Sequence, residues 1–151
     1  MEKENKIIEL LDAVIPKLDA LLGDMRFWMI FALLIGPILL IGFGAFYMFA
    51  SPKEANHRLG YRTYFGMGSI PAWKFTQKFA GMVWGGLGVV LTLVALIVSI
   101  VLGSKDPAEA MSGALTMLII EGICAVLALL TIEITVLLRY DMNGNLRNRR
   151  K

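Results

Sequence analysis

Apolar residues gather into three long runs, 27–50, 80–102 and 112–138, separated by polar connectors. Each run reaches the roughly 20 residues with which a helix, rising about 1.5 Å per residue, crosses a hydrocarbon core of about 30 Å. Lipid offers the backbone no hydrogen bonds, so segments of this length cross it as helices. The pattern predicts an all-α integral membrane protein with three transmembrane helices. Burying all three runs as a soluble core would leave too little polar chain to cover them.

Ahead of the first run, Ile7, Leu11, Val14, Leu18 and Leu21 recur at steps of four and three, with Ile8, Ile15 and Leu22 alongside. This is the stripe of an amphipathic helix within 1–26. Its polar face is net acidic, unlike the Lys- and Arg-rich face of a helix that binds anionic lipid. Pro16 would interrupt a long coiled coil. Two readings stand: a helix lying at the interface or folded over the bundle, and a helix that takes a partner. The polar lead, and the absence of a small-x-small site in Phe46-Tyr47-Met48-Phe49-Ala50, predict that the first span is retained rather than cleaved.

Between the first two runs, Ser51-Pro52-Lys53-Glu54 has the form of a capping box with Pro at the first helical position. A short helix is expected there, with Gly60 ending it and Arg58 in its last turn. Ser69-Ile70-Pro71 then restarts a helix that continues through Trp73, Lys74 and Lys78 into the second span. In the spans themselves, Gly36-Pro37 marks a kink, while Gly42, Gly44 and the Gly81-x3-Gly85 pattern permit close helix approach. That pattern suits packing within the bundle, or a homo-oligomer.

Composition agrees with the pattern: 57% of the 151 residues are hydrophobic and 18% charged, more apolar than ordinary globular chains. Charge adds an orientation. Lys3, Lys6, Lys17, Arg26 and Lys105 would lie on one side of the membrane, and the other 10 of the 15 Lys and Arg residues on the opposite side. The positive-inside rule then predicts a multi-pass plasma-membrane protein with its amino terminus outside. The loop 51–79 and the basic tail 139–151 would be cytoplasmic.

Polar chemistry concentrates in Asn56-His57-Arg58-Leu59-Gly60-Tyr61-Arg62-Thr63. Arg58 and Arg62 supply planar forks suited to phosphate or carboxylate groups; the plainer reading is a loop held against anionic headgroups of the bilayer. His57 is the only histidine, and no Cys or acidic cluster completes a metal set. Gly66-Met67-Gly68 is too short for a nucleotide loop and follows no strand. No cofactor is expected, and no nucleophile–base set or paired carboxylates support an enzyme. Cys124 reads as a small apolar residue.

Glu121 and Glu133 fall within the third run, where a carboxylate must face the bundle, be neutral or find a partner. Glu133 lies near the cytoplasmic end, within reach of water or Arg139. Glu121 lies deeper, as either a proton or cation site or a neutral acid hydrogen-bonded to Thr, Ser or backbone groups. Twelve residues of separation put the two acids about 120° apart on a helix, against a paired site.

The succession Asn56-x3-Gly60-Tyr61-Arg62-Thr63, then Ser69, Trp73, Gln77 and Gly81, resembles the SdpI family of bacterial membrane immunity proteins. Asn56, Gly60, Tyr61, Arg62, Thr63 and Trp73 are the positions that carry over. The resemblance implies protection against, or sensing of, a secreted peptide toxin, with a cytoplasmic repressor as a second partner. Direct nucleic-acid binding by this chain is not expected. Two other classes remain open: a small oligomeric transporter or channel using Glu121, and an assembly subunit with the amphipathic helix as partner surface.

Overall fold

The computed structural model describes residues 13–15, 25–55 and 58–147. Three helices in it are long and apolar enough to cross a membrane. The first, α1, runs over Met25–Ala45 and continues as a π-helical turn, Phe46–Ala50. The second and third are α2, Ile70–Gly103, and α3, Pro107–Arg139. The chain is thus an all-α membrane protein. The stripe within 1–26 lies outside the described residues, apart from helical residues 13–15 with Val14 and Ile15 exposed.

Local chemistry accounts for the helix boundaries. Ser51 is extended (φ −68°, ψ 147°), as expected of a residue preceding proline, and the helix stops there. The short helix expected from the capping box at 51–54 does not form: residues 51–55 and 58–60 are non-helical. The carbonyl of Pro52, the first helical position of such a helix, instead accepts the indole N–H of Trp73 at 2.8 Å. A tertiary hydrogen bond displaces the local one. Ser69 does cap α2, its Oγ accepting from the Ala72 N–H at 3.2 Å, with Pro71 in the first turn where a missing N–H costs little.

α2 and α3 form an antiparallel hairpin, closed by a connection of three residues, 104–106. The exposed Lys105–Glu109 ion pair spans 3.5 Å across the start of α3. At 34 residues, α2 is about 51 Å long and outreaches a hydrocarbon core of about 30 Å. Its first turns therefore stand among the headgroups or beyond.

The broadest helix interface joins α1 to α2, and α3 packs mainly on α2. Without a hydrophobic drive between helices in lipid, such contacts rest on close van der Waals packing. Gly44 shows it: a Cβ there would overlap the backbone of Gly85. Gly81 and Gly88 also face α1, so the Gly81-x3-Gly85 pattern is used inside the chain. Gly42 and Gly86 meet nothing within 4 Å.

The core divides in two along the bundle axis. Leu33, Leu91, Ala95, Ala114 and Met117 fill the end toward the α2–α3 turn. Ala72, Ala80, Trp84, Ala128, Ile132, Val136 and Tyr140 fill the end carrying the loop. Past α3 the chain doubles back, with an antiparallel bridge between Tyr140 and Leu146 around Gly144 (φ 71°). The basic tail thus begins as a tight turn packed against the loop.

Candidate functional site

The loop face is organised by one fully buried side chain, Trp73, in the first turn of α2. Its indole N–H anchors the loop's start at Pro52, and its ring edge forms a seat for Gly60. A Cβ at Gly60 would lie 2.6 Å from Trp73 Cζ2, and the backbone there has φ +105°. Both space and conformation require glycine. Gly60 is therefore a seat on the tryptophan and not the helix stop expected from the sequence.

One helical turn after Trp73, on the same face, Gln77 holds the next residue. Its Oε1 accepts from the Tyr61 N–H at 2.8 Å, and its Nε2 donates to the Tyr61 carbonyl at 2.6 Å. The side-chain amide pairs with a backbone amide as a neighbouring strand would, satisfying both groups. The Tyr61 ring meets Tyr47 edge-on at 5.7 Å between centroids. Burial, then the Glu133 carboxylate and Tyr47, push the Tyr61 phenol up to about 12. It stays protonated across the physiological range.

Thr63 is buried, and its Oγ1 accepts from the Gly66 N–H at 2.8 Å while its carbonyl accepts from Met67 at 3.2 Å. Ser69 closes the assembly: the hydroxyl that caps α2 also donates to the Gly144 carbonyl at 2.6 Å. The Gly144 turn is shaped by Asp141, whose carboxylate accepts from the backbone N–H groups of Asn143 and Asn145. Those bonds, led by Asn145, hold Asp141 below the usual carboxylate range.

The structure thus gathers Gly60, Tyr61, Thr63 and Trp73 into one knot and separates them from the charges. Arg58 and Arg62 are exposed. Arg58 borders an apolar groove of about 480 Å³ formed with Leu39, Phe43, Phe46, Tyr47 and Leu59. A second groove, of about 470 Å³, lies along the π-helical turn and the start of α2, and Tyr47 lines both. Asn56 and His57 lie outside the described residues. Gln77, part of the sequence pattern but not among the candidate site residues, is the clamp; a polar residue four after Trp73 on a helix entering lipid is the signal for it.

The two intramembrane acids are far apart in character. Glu133 is exposed on α3, and Arg139 lies over the Phe75 ring, 4.2 Å from its centroid. No ion pair joins Arg139 to Glu133 among the described residues. Glu121 is 8% exposed, and its Oε1 is buried with no hydrogen-bond partner. It borders a cavity of about 210 Å³ whose other walls are Gly36, Pro37, Leu40, Leu91, Gly122 and Ala125. The Thr and Ser partners expected for that oxygen are engaged elsewhere. Thr92, Ser99, Thr131 and Thr135 each donate to a carbonyl four residues earlier in their own helix.

Among the described residues, no cluster of three or more His, Cys, Asp or Glu side chains is arranged to hold a metal ion. The model of the SdpI/YfhL protein family matches residues 53–137, more than half of the chain, from the loop's anchor nearly to the end of α3. No curated protein and no solved structure matches.

Proposed function

The chain belongs to the SdpI/YfhL protein family, and from that premise we propose that it gives immunity to, or senses, a secreted antimicrobial peptide at the plasma membrane. The observation that supports this reading most is the Gly60–Tyr61–Thr63–Trp73 knot inside the matched region. Its polar groups are spent on holding the loop, while Arg58 and Arg62 are presented at the surface. A rigid mount carrying exposed guanidinium groups suits recognition of an anionic partner. Its described residues offer no nucleophile and base in register, which favours a non-enzymatic role.

In this reading the bundle meets the peptide within the membrane or on its outer side. The loop and tail face the cytoplasm, where the excess of Lys and Arg favours their retention, and engage a repressor protein. Deleting the gene sensitises cells to a co-encoded peptide, and Arg62→Ala lowers protection while the protein still inserts. Unchanged sensitivity in the deletion strain refutes the reading.

The unpartnered Glu121 Oε1 beside a cavity favours a second reading, a small carrier or channel in which this carboxyl exchanges a proton. That reading requires a pH-dependent flux in proteoliposomes that Glu121→Gln removes.

A further inference from the structure

We propose that the groove between the π-helical turn and the start of α2 binds the headgroup of an anionic phospholipid. Lys53, Lys74 and Lys78 line it together with Tyr47, Met48 and Phe49, and no acidic side chain does. Lys74 and Lys78 are one turn apart on α2, about 6 Å along its axis, and Lys53 closes the groove from the loop. All three lysines are exposed, and none has an ion pair or hydrogen bond among the described residues.

The apolar side of the groove sets the class of ligand. Phe49 is 83% exposed at the end of a span, where a phenyl ring gains only by contact with lipid or partner. α2 outreaches the hydrocarbon core, which puts its first turns at headgroup depth. A ligand filling this site carries a negative group toward three ammonium groups and an apolar body toward Tyr47, Met48 and Phe49. A phosphodiester lipid without a headgroup cation has that form. A zwitterionic lipid would bring its own ammonium into the lysines, and free phosphate would leave the aromatic wall uncovered.

The test is native mass spectrometry of the full chain released from mixed phosphatidylglycerol and phosphatidylcholine membranes. The protein should retain phosphatidylglycerol selectively. Replacing each of Lys53, Lys74 and Lys78 by Ala should weaken retention about fivefold, and the triple substitution about a hundredfold. Triple replacement by Arg should preserve it, and Lys105→Ala, at the opposite end of α2, should leave it unchanged. Undiminished retention by the triple Ala variant overturns the proposal. So does equal loss on Lys105→Ala, loss on the Arg replacement, or displacement of the lipid by millimolar inorganic phosphate.

Discussion

The loop face and the middle of the bundle treat polar groups in opposite ways. Around Trp73, the indole N–H, both backbone groups of Tyr61 and the Thr63 hydroxyl are matched to partners. In the bundle, Glu121 keeps one carboxyl oxygen buried beside a cavity with no partner. Satisfied networks fix a single arrangement, whereas an unsatisfied buried group is a standing cost that persists where something else selects it. Satisfied and unsatisfied polar groups thus lie at different depths of one small protein.

The contrast is sharpest where truncation empties the knot. Trp73→Ala removes the anchor of Pro52 and the seat of Gly60, and should destabilise the fold by about 3–5 kcal/mol, read from thermal unfolding in detergent. Gln77→Leu should cost about 2 kcal/mol by stranding the Tyr61 N–H and carbonyl. Limited trypsin digestion at Arg62 should accelerate with it. The same kind of exchange at Glu121 has the opposite sign. Glu121→Leu removes an unpaired polar atom and fills an apolar cavity, so thermal stability should be unchanged or higher by about 1 kcal/mol. A clear loss there, equal to that at Gln77, would break the comparison.

The smallest effect concerns the tail turn. Asp141 is held below the ordinary carboxylate range by the amides it accepts from. Its contribution is therefore present above an unfolded value of about 3.9 and is lost as pH falls through the lower folded value. Hydrogen-exchange protection of the Asn143 and Asn145 amides should decline in that acid window. Asp141→Asn should reduce it at neutral pH while α1, α2 and α3 keep their protection.

How much of this was legible in the sequence follows from the range of the forces involved. The three spans are set by local apolarity against lipid, and the runs at 27–50, 80–102 and 112–138 fall within the helices observed. Ser69 as a cap is equally local. The capping box at 51–54 starts no helix, and the Pro52 carbonyl there is held by Trp73, 21 residues away, a contact that no short window of sequence contains. Gly60 was recognisable as special, but its reason is a tryptophan ring. Asn143-Gly144 is a turn signal that the basic composition of the tail obscures. Glu121 stands out by type alone; that the Ser and Thr hydroxyls of α2 and α3 donate within their own helices is visible only in three dimensions.

Tyr47 is the common wall of the two loop-face grooves, and its ring also touches Tyr61. An occupant that displaces this ring from one side reshapes the other. For ligands that fill both grooves, any factor by which occupancy of the lysine groove alters affinity in the Arg58 groove must recur in the reverse direction. Membrane lipid composition would then act as a dial on whatever the Arg58 groove holds.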